Sequence, residues 1–463
     1  MPTIIGVIFF CCGAYCFLYK EDRLLGLLLI ASTFEAASAI NFGKRGIQPY
    51  YVVAAFIIAR GLVNWLLGVR LNRKMPQRKW LLIFGVVGIA SAFVLPVVFA
   101  GIPIYDPKIG IDDGLFNRPP LAFNLNNIGQ AGFLAWHIAT AFALLGLKFS
   151  PEKTKKAFLW AFYIEIFFVF AESLCQLARI DFPLWIILNN PGLAVWDNKM
   201  EAYGTRVPGT FSEPSLAGAF LVLYCVGFLA QYLARKGGSI RLILSLVASG
   251  MVASTSSLLT LLLAPIALLV RYSPFRFPWY INLKQTKRIA WVLFLFVVPL
   301  ILVLVFSSGY RAVLTNVTVS KGESGSFINR TAADLYSLQL LLRTYGLGVG
   351  LGSNRSSSLL TTLISNVGVV GILAFLVFYF KLFANLPEEY TWFKWAGFAL
   401  LLNMCLGIAD ITMPLMWCPI LLAIQFSFRK YNASPAAEPQ RSDVGEGAGS
   451  SRFKASPNWL VLE

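Results

Sequence analysis

RVPGTFSEPSLAGAFLVLYCVGFL, residues 206–229, decides how the rest of the chain is read. A polar segment holding Arg206 and Glu213 runs directly into an apolar stretch long enough to enter a hydrocarbon core about 30 Å thick. Similar apolar windows of about 17 to 25 residues recur along most of the chain. Of the 463 residues 57% are hydrophobic and only 13% charged, with a mean hydropathy of +0.69. Soluble domains carry about 25% charged residues. The apolar runs are continuous and do not alternate, which excludes a β-barrel. The expected fold is all-α, a polytopic membrane helical bundle.

Working outward from residue 206, the windows place helices at 2–18, 23–40, 50–70, 80–103, 122–147, 157–179, 211–234, 240–253, 256–271, 289–308, 358–382, 394–409 and 413–428. That is about thirteen crossings. The break ASTSS, residues 253–257, fits either two short helices or one long bent one. MPTIIGVIFFCCGAYCFLYK lacks a basic n-region and a small-residue cleavage site, so it reads as a retained first helix. A membrane domain is expected over 1–430. Residues 431–463, with the run ASPAAEPQRSDVGEGAGSS, are expected to form a disordered cytoplasmic tail.

The net charge of +17 and pI near 9.6 would suggest nucleic acid in a soluble protein. Here the cations cluster in short loops with no RNA- or DNA-binding motif, so no nucleic-acid partner is expected. Segments 70–79, 148–156, 235–241 and 271–288 hold 17 Lys/Arg in 44 positions, whereas 104–121, 181–210 and 309–357 hold 9 in 97. The positive-inside bias makes the first group cytoplasmic and the second outward-facing. Alternation then requires 240–271 to cross twice and puts the N-terminus outside. The outer loops 181–210 and 309–357 are long, and Phe182, Trp185, Trp196 and Tyr203 suggest that the first folds back onto the membrane surface.

Seven cysteines lie within apolar windows and read as small buried side chains. The only histidine is His137, so no metal site is expected. It reads as a hydrogen-bonded packing residue. Glu35 and Arg60 are candidates to pair across neighbouring helices, while Glu165, Glu172 and Asp410 are candidates to line a cavity.

Pro214 suits the first turn of a helix, which makes Glu213 or Ser212 its N-cap. An ionised glutamate there could act as a general base or could simply cap. Arg206 offers permanent charge to phosphate oxygens, or anchors the loop at the membrane surface. In SFINRTAADLYSLQLLLRTYGLGVGLGSNRSSSLLTTL, residues 326–363, an amphipathic helix is expected to open near Asn329. Arg330 then sits in its first turn, against the dipole, and Arg343 in its last, with the dipole. Gly346, Gly348, Gly350 and Gly352 alternate before Ser353, Asn354, Arg355 and three more serines. Alternating glycines let backbone N–H groups approach a ligand, or make a flexible turn; a serine-rich helix start can hold phosphate.

RVPGTFSEPS, the helix pair broken at STSS, the arginine helix, GLGVGLGSNRSSS and NVGVVGIL together resemble the O-antigen polymerase and O-antigen ligase superfamily, over about residues 200–430. The resemblance implies a periplasm-facing glycosyltransferase of the inner membrane that uses a polyprenyl-diphosphate sugar donor without a metal or other cofactor. It makes Arg206 and Arg330 candidates for holding the diphosphate and Arg355 a further one; with Glu213 as the base best placed by context, the catalytic candidates are Arg206, Arg330 and Glu213 and the substrate-binding ones Arg355, Asn354, Ser353 and Arg343. The implied partners are the lipid-linked oligosaccharide, the bilayer and a chain-length regulator protein. Ligases of this type place a histidine in the second large loop; its absence here points to a polymerase. The arginine that often follows the Ser/Thr break is replaced by Ser256, Ser257 and Leu258, leaving one phosphate contact missing or supplied by Arg355.

Overall fold

The computed structural model describes residues 1–69, 75–114, 117–193, 206–271 and 325–432, with only 275–276, 280–281, 287 and 290–291 between the last two. The expected span 289–308 and the tail from 433 therefore lie outside the described residues. In chain order the helices are α1 (Ile4–Tyr19), α2 (Leu24–Ala31), α3 (Pro49–Leu66), α4 (Arg78–Val98), the single turn α5 (Ile111–Gly114), α6 (Leu125–Leu145), α7 (Pro151–Ala178), α8 (Pro214–Leu233), α9 (Ser239–Val252), α10 (Thr255–Arg271), α11 (Gly325–Arg343), α12 (Leu359–Ala384), α13 (Thr391–Gly407) and α14 (Pro414–Asn432). Among the described residues the fold is mostly helical, and six helices are long and apolar enough to cross a membrane: α3, α4, α6, α7, α8 and α12. α1, α9, α10 and most of α14 are apolar but shorter.

α8 is the hub. Its apolar window is 89% buried inside the protein, against 33–56% for the other five, because α13, α9 and α10 all pack on it. The remaining long helices leave part of their surface facing outward, as lipid-contacting helices do.

Local chemistry sets the helix ends. Ser150 accepts from the Lys153 N–H ahead of Pro151, and a capping box of Asn124 and Asn127 opens α6. α9 and α10 are two separate helices, because Ala253 between them takes a left-handed conformation (φ 46°, ψ 46°). The Ser254–Ser257 start of α10 lies against Gly218 near the N-terminus of α8. The 240–271 region thus doubles back along α8.

The expected helix over 23–40 is corrected: α2 spans only Leu24–Ala31. Ser32 and Thr33 turn their hydroxyls back onto the carbonyls of Leu29 and Ile30, at 2.7 and 2.8 Å, and compete with the helix. The chain then continues non-helically through buried Thr33–Ala39 to a hairpin the sequence did not announce. Its strands are β1 (Ile40–Phe42) and β2 (Arg45–Ile47). Composition cannot separate these cases, since a buried extended segment is as apolar as a buried helix.

The helix ends sort onto two faces. One gathers the N-termini of α3, α6, α8, α12 and α14 with the C-termini of α2, α4, α7 and α13. The other gathers the basic turns. There Arg60 bonds Glu21 at 2.7 Å, Lys153 bonds Asp22, and Gln77 donates to the Lys381 carbonyl at 3.4 Å. Burial raises the pKa of Glu21, but hydrogen bonds from Arg60 and Asn64 outweigh it and hold the carboxyl below its usual value. The Lys153 hydrogen bond does the same for Asp22. Glu35 and Arg60 do not pair, because Arg60 reaches the turn between α1 and α2 at the basic face, while Glu35 sits at the opposite one.

Candidate functional site

Arg206 and Glu213 are the two ends of a loop locked from beneath by three buried carboxylates. Glu172 accepts from the Gly209 N–H at 3.3 Å, and Glu165 accepts from the Thr210 N–H at 3.1 Å and its hydroxyl at 2.6 Å. Glu35 accepts from the Ser212 N–H at 2.9 Å and its hydroxyl at 2.8 Å. Glu35, Glu165 and Glu172 are at most 3% exposed, so the loop's donors stand in for water at the bonded oxygens, while Glu165 Oε1 is buried with no donor among the described residues. Gly209 has φ +60°, and a Cβ there would stand 2.4 Å from Glu165 Oε1; glycine is required. Glu165 and Glu172 therefore position the loop rather than lining an open cavity.

Glu213 occupies the N-cap position of α8, its carbonyl accepting from the N–H groups of Leu216 and Ala217. Its carboxylate makes no bond to the helix N–H groups; it is exposed and, among the described residues, accepts only the Ser215 hydroxyl at 3.0 Å. Capping by the backbone leaves the side chain available for chemistry. Ser212, the other capping candidate, is turned to Glu35.

Glu213 has a carboxylate neighbour the sequence did not single out for chemistry. Both Glu213 and Asp410 lie close enough to Glu35 to act on it electrostatically. Asp410, half-buried between α13 and α14, accepts from the Thr412 N–H at 2.7 Å and its hydroxyl at 2.8 Å. Thr412 also bonds Gln130 at 2.8 Å, and Gln130 packs against Gly352. Asp410, Thr412 and Gln130 thus form a polar chain at the start of α14, and the aliphatic part of Gln130 abuts the glycine run. His137 lies below it, fully buried, with Nδ1 2.9 Å from the Tyr50 hydroxyl, Nε2 2.7 Å from the Thr412 carbonyl and its ring stacked on Trp417. It is a packing residue.

Gly346, Gly348, Gly350 and Gly352 all take positive φ, between 82° and 102°. The N–H groups of the first three are turned inward: Gly346 to the Leu341 carbonyl, Gly348 to the Thr344 hydroxyl and Gly350 to the Asn366 carbonyl. α12 breaks at Gly368 (φ 66°, ψ −169°) to receive the run, and the Val369 N–H returns to the Gly346 carbonyl. The expected ligand-facing glycine backbone is corrected: it is a backbone-on-backbone joint.

Ser353 and Asn354 are corrected likewise. Both are at most 2% exposed. Ser353 accepts from Asn127 at 2.8 Å. Asn354 takes the Tyr105 N–H at 3.1 Å and donates to Ser337 and Ser365 at 3.0 and 3.1 Å. They fasten the loop and leave Arg355 exposed, its N–H on the Tyr105 carbonyl at 2.8 Å.

The serine-rich start of α12 holds an anion supplied by the protein. Asp334 of α11 takes the Ser357 N–H at 2.8 Å, its hydroxyl at 2.5 Å and the Thr361 hydroxyl at 2.8 Å. α11 is already helical at Gly325, four residues before the expected start, which puts Arg330 beyond the first turn and weakens its quarrel with the dipole. Arg330 is exposed one turn from Asp334. Arg343, also exposed, ends α11 with its guanidinium 5.7 Å from the Tyr336 ring. Arg118 lies 4.4 Å from the same ring and 5.1 Å from that of Tyr105.

Four exposed arginines, 118, 330, 343 and 355, therefore surround the α11 platform, and Arg206 with Glu213 stands across the Asp410–Gln130 polar chain on the same face. No protein-family model matches this chain, and no curated protein does. What it does rests on this geometry alone. Arg118 was missed because it is a single charged residue whose ring partner Tyr336 lies more than 200 positions away, while Asp410 was singled out as a cavity-lining candidate and not for chemistry. Only Asp410, as a carboxylate beside an apolar window, gave any signal.

Proposed function

We propose that this chain is a membrane glycosyltransferase that polymerises lipid-linked oligosaccharide repeats, moving a growing glycan from polyprenyl diphosphate onto the terminal sugar of a new repeat. In this reading it crosses the inner membrane about thirteen times, with the site toward the periplasm. The observation that carries it is the gathering of guanidinium groups and a free carboxylate, from distant segments, on the face where the helices end.

A diphosphate leaving group needs its developing charge neutralised, and fixed guanidinium groups meet that need without a metal. Arg330 and Arg355 flank the Asp334 cap from which such a group could be held, with Arg343 and Arg118 beside them. Arg206 would reach the diphosphate from the loop above the buried glutamates. The acceptor hydroxyl must lose a proton, and Glu213 is the exposed carboxylate with its hydrogen-bonding capacity largely unspent. The lipid tail of the donor stays in the bilayer, which explains a site at the rim of the helices. His137, enclosed on all sides, offers no loop histidine of the ligase kind.

Purified protein given polyprenyl-diphosphate-linked repeats and nothing else should lengthen them into a ladder. Arg206→Ala and Arg330→Ala should each abolish the ladder, and Glu213→Gln should lower kcat about 10²- to 10⁴-fold. A normal ladder from both arginine variants would remove this mechanism.

A further inference from the structure

The outward side of α11 is apolar. Leu335, Leu338, Leu342 and Tyr345 follow at helical spacing and are 57%, 42%, 78% and 88% exposed, while Ala333, Ser337, Leu340 and Thr344 are fully buried on the opposite side. Leu347, also exposed, continues the strip past the helix end, and Gln339 and Arg343 flank it on one edge. Contacts with α12 fix how deep the strip reaches. Asp334 bonds Ser357 and Thr361 at the start of α12, whereas the Gly346 carbonyl accepts from the Val369 N–H at 2.9 Å. Val369 lies about 15 Å along α12 from Leu359. α12 has 26 residues, about 39 Å, so in crossing a hydrocarbon core about 30 Å thick it leaves at most about 9 Å clear. Tyr345, Gly346 and Leu347 therefore stand below the hydrocarbon boundary. The chain then climbs back. Gly350 packs on Ser91 and Pro96 of α4, Gly352 on Asn126 and Gln130 in the first turns of α6, and the Arg355 N–H bonds the Tyr105 carbonyl.

The backbone of this turn is finished for surroundings without water. Every N–H from Gly346 to Leu351 has an acceptor inside the protein, drawn from Leu341, Thr344, Ser365, Asn366 and Ser91. A loop in water can leave such groups to the solvent, whereas irregular backbone at membrane depth cannot. Arg343 adds an independent observation. It ends α11 near the deep end, yet its guanidinium lies 5.7 Å from the Tyr336 centroid, two turns back up the helix, where Arg118 also stands. A long cationic side chain set in lipid rises to the headgroups in this way. The strip is also continuous with the outward surface of α12. A Cβ on Gly346 would touch Val369, and Val369, Val370 and Leu373 are all exposed.

We propose that the C-terminal half of α11 and the glycine run form a re-entrant segment set into the leaflet on the arginine face, with Leu338, Leu342, Tyr345 and Leu347 against phospholipid acyl chains. Arg343 returns its charge to headgroup level, which sets the arginine platform at the height of lipid phosphates. The inference rests on the chain crossing a membrane and not on the polymerase reading.

The test is nitroxide depth measurement by power-saturation EPR, with oxygen and a water-soluble nickel chelate as the two relaxants. Labels go singly at Leu335→Cys, Leu342→Cys and Lys236→Cys in the full chain, its native cysteines replaced, in phosphatidylethanolamine–phosphatidylglycerol vesicles. The Leu342 label should favour oxygen and lie about 10 Å deeper than the Leu335 label, and the Lys236 label should favour the chelate. A Leu342 label as open to the chelate as the Lys236 label overturns the proposal, and so does one shielded from both relaxants. Benzoylphenylalanine at Leu342 in the otherwise native chain makes the test independent of the cysteine replacements. Photolysis should give phospholipid adducts in the intact-mass spectrum; adducts to protein alone would assign the strip to another segment or a second copy and overturn the lipid assignment.

Discussion

Asp334 shows how one side chain can redirect a site. The start of α12 has the features of an anion cradle: a serine N-cap, a second serine N–H and hydroxyl, and a threonine one turn on. A carboxylate from α11 fills it. Any phosphate must therefore bind beside this cradle, at Arg355 and Arg330, and Asp334 sets where those arginines stand. Asp334→Ala leaves the Ser357 N–H and hydroxyl without their acceptor. It should lower stability by about 1–3 kcal/mol, read from SDS-titrated unfolding in mixed micelles. Asp334→Asn keeps one acceptor oxygen and should cost less. An Asp334→Ala protein as stable as the native one would mean that the cap contributes nothing. The residue types of this site were legible in the sequence: Arg206, Glu213, Arg330, Arg343 and Arg355 are all there to be picked out. Their partners were not, because Asp334 reads as an ordinary polar-face residue until α12 is folded against α11.

Among the elements, the glycine run and the break in α12 form one device. Positive φ at four alternate residues lets the chain lie flat against Ser91 and Pro96 of α4, Asn126 and Gln130 of α6, and Ser365–Gly368 of α12. The alternation is plain in the sequence, and so is the need for glycine. Whether the exposed backbone meets a ligand or another backbone is not, since the partners lie as far away as residue 91. The same blindness produced the overlong helix at 23–40. Gly350→Ala tests the joint. At φ +102° its Cβ would stand 2.7 Å from the Ser91 carbonyl and the Pro96 ring, so strain and overpacking should together cost about 2–5 kcal/mol. Gly132→Ala, inside α6 with nothing within 4 Å, is the control and should be neutral or slightly stabilising, by up to about 1 kcal/mol. Comparable folded yields and unfolding midpoints for the two variants would refute the close-packed joint.

At the scale of the whole molecule, charge is divided between two faces, and this was the most legible feature of all. The basic start of α4 and the turns between α6 and α7 and between α8 and α9 collect on one side, where Glu21, Asp22 and Gln77 make their bonds. The loops bearing Arg206, Glu213 and Arg355 collect on the other, together with Met1, whose amino group bonds the Asn41 carbonyl of the β1–β2 hairpin. On the proposed reading, the positive-inside bias would put the site outside the cytoplasm. A cysteine-labelling experiment decides it. Arg355 and Lys236 are both exposed and stand at opposite ends of the bundle. With the native thiols blocked or replaced, Arg355→Cys should react with a membrane-impermeant maleimide in intact cells. Lys236→Cys should react only after the membrane is opened. The reverse pattern would turn the protein over, bring the arginines to the cytoplasmic side and leave a lipid diphosphate of the outer leaflet with no site to enter.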